Sequence, residues 1–413
     1  MKYKIHFHSD SWFFSGSQNM LAVLANHKRI RNNFMLSFSY GYSKDYEKGL
    51  DKQIRTSIKR YPINTHHTNH ISMPDNNHKI RLFRLLLRGL MALSERVFFF
   101  SNIYKIYRII KKANPDIIHI NNSGYPGAYS CSAAVAAAKL AGKDKIVYTV
   151  NNIAVPRSSV IRRLDFLLDR FVSKRVTKFV TGSSYAGKRL QSVLGFHDDR
   201  HIRIPNTILS RNNDETEEET RKRLSVGNDD ILICNVALFE ERKGQQYLIE
   251  AFNQLCKELG GTLKVKLILE GKGPTKVKLT ELVQSNNLNS RVLFIEEENI
   301  YNLYNCLDLF VLPSIMYEDF PNVILEVMSL GKPVIGTKIA GIPEQIEDGS
   351  NGYVVEPGDI LQLKDAMKRI VTDKHLRKQM GRRSREIFDG NFKEDIIIDK
   401  YINLYESLLN VKG

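Results

Sequence analysis

Two carboxylates, Glu318 and Glu326, stand with seven residues between them in the stretch LFVLPSIMYEDFPNVILEVMSLGKPV, Leu309 to Val334. Glu326 is the only charged residue from Pro321 to Leu330. A lone carboxylate among apolar side chains is costly unless something hydrogen-bonds to it. One reading supplies that partner from elsewhere in the fold. The other brings it from outside, because Glu318 lies in the loop just ahead of the same predicted helix. The N-terminus of that helix, at Phe320, Pro321, Asn322 and Val323, is an anion site by virtue of its free N–H groups and its dipole. A diphosphate held there has one carboxylate on each side. Glu318 is then in reach of a sugar. Glu326, about 7–8 Å along at 1.5 Å per residue, is placed to accept two hydrogen bonds from ribose hydroxyls. A second charged group comes from Phe239-Glu240-Glu241-Arg242-Lys243-Gly244. Lysine at a strand-to-helix turn meets a phosphate as a point charge, so Lys243, with Arg242 as a second cation, is the candidate; a solvated lysine is the alternative.

The elements that must position these groups are legible around them. Leu309 to Leu312 is a continuous apolar run, the mark of a strand buried on both faces of a parallel sheet. Pro313-Ser314 stops it, Pro321 takes the first position of the helix and Gly331 sits just past its end. Strands and helices alternate before it: Ile231 to Leu238, helix Gln245 to Leu259, Lys264 to Glu270, helix Thr275 to Ser285, Arg291 to Ile295. Such alternation means a parallel sheet with helices on both faces.

The first half repeats the pattern. Strand Tyr3 to Ser9 leads through a small-residue turn at Gly16 and Ser17 into a helix, a turn that lets a phosphate approach the backbone or is an ordinary strand-to-helix connection. A strand Asn33 to Tyr40 precedes a loop, Tyr61 to His78, whose His66, His67 and His70 have no Cys or carboxylate in the run to complete a metal site. Strand Pro115 to Ile120 ends in the turn Asn121 to Gly127, and strand Lys145 to Val150 ends at Asn151. Ligands gather at such carboxyl ends, which makes His119, Asn121 and Asn151 candidates for binding a second substrate. Val160 to Ser173 reads as a basic amphipathic helix, and Phe392 to Leu409 as a final helix with apolar residues at helical spacing.

Composition sets the outer bounds. A chain of 413 residues with 42% apolar and 26% charged content is an ordinary globular sequence long enough for two domains. Its four cysteines form no C-x-x-C pair and fit a reduced, cytoplasmic protein. No signal-peptide core follows the N-terminus, and no uncharged apolar run approaches the ~18–20 residues that span a bilayer. The net charge of +16 is unevenly spread: residues 1–206 carry 34 Lys+Arg and 12 Asp+Glu, or +22, and residues 207–413 carry 27 and 33, or −6. The first half therefore faces something anionic. Lys79 to Lys112 places cationic residues among Leu, Phe, Ile and Tyr, a composition that suits a membrane interface or a helix covering a sheet. The basic residues lie on amphipathic helices without a recognisable DNA or RNA module, so nucleic acid is not the expected partner.

Glu318-Asp319-Phe320-Pro321, then Glu326, flanked by Leu312-Pro313-Ser314 and Gly331-Lys332-Pro333-Val334, resembles the E-x7-E signature of family 4 glycosyltransferases, retaining enzymes of the GT-B fold. Ile204-Pro205-Asn206, Glu270-Gly271-Lys272-Gly273-Pro274, Gly341-Ile342-Pro343-Glu344 and Asp348-Gly349-Ser350-Asn351-Gly352 are similar to further motifs of that family. The likeness is specific from about Ile204 to Pro357 and faint before it. Departures are visible: Leu238 stands where an arginine is usual, Glu296 where a glycine is usual, Asn151 where many members have histidine, and Gly16 where there is commonly a glycine pair.

The resemblance implies an α/β chain of two Rossmann-like doubly wound domains facing across a cleft, with the last helix crossing back to the first domain. The expected division is 1–206 for the acceptor, 207–390 for a nucleotide-sugar, and 391–413 for the returning helix. It implies that Lys243 contacts the donor diphosphate, that Gly271 and Ile295 wall the nucleotide pocket, that Gly16 and Ser17 neighbour the donor phosphate, and that no metal or other cofactor is required. The activity it implies is transfer, with retention, from a nucleotide-sugar to a glycan or lipid-linked glycan in bacterial cell-surface polysaccharide synthesis. Charge adds an anionic surface, the inner membrane, as a possible partner. Alternatives are a GT-B protein of other chemistry, such as an epimerase or an inactive partner subunit, and a nucleic-acid-binding protein.

Overall fold

Thirteen short strands, rich in Ile, Val, Leu and Phe, form two separate parallel sheets in a computed structural model that describes residues 2–11, 14, 16–65, 98–209 and 213–409. The chain divides into two units. The first is Met1–Pro205 together with Ile398–Gly413, and the second is Asn206–Ile397.

The first unit contains β1 (Tyr3–Ser9), β2 (Phe34–Gly41), β3 (Lys59–Ile63), β4 (Ile117–Asn122), β5 (Ile146–Val150), β6 (Lys178–Thr181) and β7 (His201–Arg203), in the order β3-β2-β1-β4-β5-β6-β7. Every pairing is parallel. Because side chains alternate across a strand, β4 and β5 send Ile118, Ile120, Ile146, Tyr148 and Val150 to one face. There they meet the alanine-rich helix Tyr129–Leu140 and its neighbours, including Ile106 and Ile110 of the helix at 98–113. The opposite face carries His119, packed against Tyr401 and Tyr405 of the helix Glu394–Leu409.

The second unit contains β8 (Ile231–Val236), β9 (Val265–Glu270), β10 (Val292–Ile295), β11 (Leu309–Leu312), β12 (Val334–Thr337) and β13 (Gly352–Val355), in the order β10-β9-β8-β11-β12-β13, again all parallel. Every residue of β8 and β11 is buried, as a strand covered on both faces requires. Ile231, Ile233, Leu267 and Leu269 pack under the helices Gln245–Leu259 and Ile360–Thr372. Leu232, Cys234, Phe310 and Leu312 meet Tyr304, Ile324, Leu325 and Met328 on the other side. In each sheet the order reverses about one pair of strands, β1 and β4 in the first, β8 and β11 in the second. Ligands bind at such switch points in open α/β sheets.

Several expectations are corrected. Tyr61–Ile63 is not loop but the end of β3, an edge strand, where the missing N–H of Pro62 costs no ladder bond. The loop from residue 66 onward, with His66, His67 and His70, lies outside the described residues, as does Lys79 to Lys112 up to residue 97. β4 begins after Pro115 and keeps Asn121 and Asn122 within the strand. The basic helix expected over Val160 to Ser173 is two helices, Val160–Arg163 and Phe166–Arg175, since Leu164 and Asp165 turn the chain between them. Pro321 is the N-cap and not the first helical residue: its ψ of 127° is extended, so the helix is Asn322–Ser329. The boundary between units falls at Pro205/Asn206, and the returning segment begins at Ile398.

Candidate active site

The backbone ladder between β8 and β11 is short. It pairs Leu309 with Ile233 and Phe310 with Cys234, and beyond that point the two strands run into loops that carry the predicted charges. After β8, residues 237–240 lead into a tight turn, Glu241–Lys243, closed by Gly244 at φ 70°. A Cβ on Gly244 would lie 2.0 Å from the Pro313 carbonyl oxygen, so glycine is what lets the two loops approach. The Ile315 N–H then donates to the Arg242 carbonyl at 2.8 Å. Gly271 and Gly273 play the same part after β9, with φ of 138° and 156° and the Ala237 and Phe239 backbones in the place of any side chain.

This stitching brings Lys243 against Glu318. The Lys243 ammonium donates to Glu318 Oε2, which also accepts from Ser314 Oγ at 3.3 Å. Arg242 Nη1 lies 3.8 Å from the same oxygen, while its Nε donates to Glu240 Oε2 at 2.6 Å and its Nη1 to the Tyr317 carbonyl at 3.2 Å. Side-chain exposure is 12% for Lys243 and 14% for Glu318, low enough to shield the pair and high enough for a ligand to reach it. Two cations and a carboxylate from different loops thus meet at the switch point of the second sheet.

The helix Asn322–Ser329 starts beside them. Its entry is pinned from outside: Asn206 Nδ2 donates to the Phe320 carbonyl at 3.2 Å and to Asn322 Oδ1 at 3.1 Å, and Gln345 Nε2 donates to the Pro321 carbonyl at 3.1 Å. Its exit is a Schellman motif, Lys332 N–H to the Val327 carbonyl and Gly331 N–H to that of Met328, with Gly331 at φ 67°. Asn322 and Val323 are the first residues of the helix, and the Ile324 N–H donates to the Pro321 carbonyl at 3.3 Å. Further along, Glu326 is half-buried and its Oε2 accepts from Tyr304 Oη at 2.9 Å. The lone glutamate thus has a partner inside the protein, and it lies on the helix whose N-terminus adjoins Lys243 and Glu318. Burial, and then the Glu326 carboxylate, hold the Tyr304 hydroxyl well above the usual phenol range. Tyr304 was not a candidate from sequence; its one cue was an aromatic spaced three residues from Tyr301. The Ile295 carbonyl, at the end of β10, accepts from the Gly271 N–H at 3.1 Å and closes the turn that Gly271 opens.

In the first unit Asn121 Nδ2 donates to the Ser17 carbonyl at 3.0 Å, and Asn151 Nδ2 to Asn121 Oδ1 at 2.9 Å and to the Asn122 carbonyl at 2.8 Å. Gly16 and Ser17 open the helix Gly16–Asn26. Ser17, Asn121 and Asn151 thus share the carboxyl ends of β1, β4 and β5, where Ser130 also donates to the buried Asp10. His119 does not join them. It is 1% exposed, with Nδ1 2.7 Å from Tyr405 Oη and Nε2 2.7 Å from Thr149 Oγ1, and burial lowers its pKa to about 3. Among the described residues no group of three or more His, Cys, Asp or Glu is placed to hold a metal ion.

Comparison with known proteins follows the same division. Residues 216–387 match the family model described as glycosyl transferases group 1, and residues 65–208 that of glycosyltransferase family 4. The chain is 27% identical over 318 residues to N-acetyl-alpha-D-glucosaminyl L-malate synthase of Bacillus anthracis, covering 74% of this chain and 78% of that one. It is 25% identical over 326 residues to the capsular polysaccharide biosynthesis glycosyltransferase CapM of Staphylococcus aureus, covering 75% and 82%. Among solved structures, Anabaena HepE in complex with UDP superposes with a TM-score of 0.76 at 18% identity, over 98% of this chain and 100% of that one.

Proposed function

The chain belongs to glycosyltransferase family 4, and from that premise we propose that it moves a sugar, with retention at the anomeric carbon, from a nucleoside diphosphate sugar to a glycan or lipid-linked glycan of a bacterial cell-surface polysaccharide. The observation that carries the reading is the meeting of Lys243, Arg242 and Glu318 at the switch point of the second sheet, beside the N-terminus of Asn322–Ser329. When the sugar leaves, negative charge develops on the diphosphate. Interactions that grow with that charge lower the barrier, and Lys243, Arg242 and the first-turn amides of Asn322 and Val323 are the groups to supply them. That compensation calls on no metal ion. Glu318 positions the sugar and Glu326 accepts from the ribose. Relatives bound to UDP make UDP-sugars the first donors to try.

The test is a thermal shift of the protein against UDP-, GDP-, ADP- and CMP-sugars, with Glu326→Ala alongside. A ligand that binds only the folded state stabilises it by about 2.7 kcal/mol at 100 times its dissociation constant. The expected outcome is a shift with one nucleotide that is diminished in the variant. No shift with any of the four overturns the reading.

The acceptor end of the reading includes an anionic membrane surface. No helix among the described residues is long and apolar enough to cross a membrane. Val160, Leu164, Phe166 and Leu167 are nonetheless exposed, alongside exposed Arg163, Arg170, Lys174 and Arg175. The two carboxylates of that segment, Asp165 and Asp169, point inward: Asp169 holds Arg157, Arg162 and Tyr125, and Asp165 accepts from Tyr129. What is left outside is apolar and cationic, a face that suits anionic lipid.

A further inference from the structure

Between Pro313 and Glu318 the chain makes one short excursion, and Arg242 holds it at both ends. The Ile315 N–H donates to the Arg242 carbonyl at 2.8 Å, and Arg242 Nη1 donates to the Tyr317 carbonyl at 3.2 Å. Glu318 is then turned inward by Lys243. What the excursion leaves outside is Met316 and Tyr317, 44% and 63% exposed. Tyr317 has a φ of 54°, in the left-handed region. Among the described residues the other non-glycine positions with positive φ are Asn114, Ser225, Asn287 and Ala340, all small. A bulky side chain is costly there, and glycine or asparagine would let the carbonyl meet Arg242 at less cost. Packing does not explain the ring, because the residue is mostly in solvent. Strain kept beside a site, with no packing to account for it, points to a ligand. Leu238, in the loop after β8 that also carries Lys243, is exposed as well, so both loops that build the charged site present apolar side chains to solvent.

We infer that Tyr317 is a platform for a sugar ring of the acceptor. A pyranose has a face made largely of C–H groups, and such a face stacks on an aromatic ring whose hydroxyl still hydrogen-bonds. The occupant follows from position. Glu318, the next residue, positions the donor sugar in the reading above, on which this inference rests. Tyr317 is left on the solvent side of it, the side from which an acceptor must come. The two anchors on Arg242 fix the backbone that presents the ring, so the platform keeps its place beside Glu318. Tyr317 binds and orients the acceptor and takes no part in bond-making.

The experiment is saturation-transfer NMR on methyl glycosides of glucose, galactose and N-acetylglucosamine, added to the wild-type protein, Tyr317→Asn and Tyr317→Phe. Each sample contains the nucleoside diphosphate of the donor that shifts the wild-type melting temperature. Asparagine suits the left-handed backbone and removes the ring, so that variant is expected to melt no lower than the wild type. Phenylalanine keeps the ring. The expected result is saturation of the C–H face of at least one glycoside by the wild type and by Tyr317→Phe, and its loss in Tyr317→Asn, with the nucleotide-sugar shift the same in all three. Glycoside signals that are alike in the wild type and Tyr317→Asn, absent signals included, overturn the inference. So does a nucleotide-sugar shift that falls in Tyr317→Asn alone, which would put the ring on the donor. If no nucleotide-sugar shifts the wild type, the reading of the site falls first, and this inference with it.

Discussion

Asn235 donates from its side-chain amide to the carbonyl of Val311 at 2.8 Å, one residue beyond the last backbone pair, Cys234 with Phe310, between β8 and β11. A side chain thus takes over where the ladder stops, and the two strands begin to part with Asn235 fully buried between them. Removing it leaves a buried carbonyl unpaired, a loss of about 1–3 kcal/mol. Asn235→Ala is expected to lower the urea midpoint accordingly and to weaken nucleotide binding as the Lys243 and Glu318 loops lose their common base. Denaturation and calorimetry on the same preparation check both.

Lys243 is expected to matter more to turnover than to stability. Loss of one preorganised donor to developing charge typically costs 10²–10³ in rate, so Lys243→Ala should reduce kcat of sugar transfer by about that factor. Glu318 keeps Arg242 Nη1 at 3.8 Å and the Ser314 hydroxyl at 3.3 Å when the ammonium is gone, which limits the change in melting temperature. A variant that loses rate no more than threefold would remove Lys243 from the diphosphate site.

Acid should loosen the first unit. Burial holds His6 and His119 down to about 3, and burial opposed by Asp10 holds His8 to about 4, against about 6.5 in an unfolded chain. Below pH 6.5 the unfolded chain therefore binds protons that the fold refuses. Stability is unaffected by these groups above pH 6.5 and falls as pH drops from there toward 4, by up to about 1.4 kcal/mol per pH unit for each histidine. His119→Gln should make the fall shallower between pH 6.5 and 4, measured as urea midpoints across that range.

The apolar and cationic face of Val160–Arg175 predicts binding to vesicles. Sedimentation with vesicles containing anionic phosphatidylglycerol should carry the protein down, and neutral phosphatidylcholine should not. Leu164→Glu with Leu167→Glu, both at exposed positions, should abolish it while leaving the nucleotide-induced thermal shift unchanged. Salt should weaken it as well.

The sites were legible where one short segment carries both the element and its chemistry. Leu309 to Val334 contains a buried strand, a stop, a capped helix and two carboxylates, and each signal agrees with the next. Lys243 was legible because it stands beside Gly244 at a strand-to-helix turn, while the Pro313 backbone that this turn must pass shows only in the fold. What was not legible depends on contacts distant in sequence. Tyr304 gains its meaning from Glu326, 22 residues on, and His119 loses its candidacy to Tyr405, 286 residues on. Neither partner shows in local spacing. β3 was hidden for a different reason, since Pro62 argues against a strand until its place at a sheet edge is known.

The helix Glu394–Leu409 has a consequence for how the chain is made. Phe34, His119 and Thr149 of the first unit gather around Tyr401 and Tyr405, so that unit's core is closed by residues that follow the whole of the second unit, Asn206–Ile397. On the ribosome, at about 5–20 residues per second, the first unit waits on the order of ten seconds or more with that flank of its sheet uncovered. The second unit has every segment it needs as soon as Ile397 emerges. The half of the chain made first is thus the half completed last.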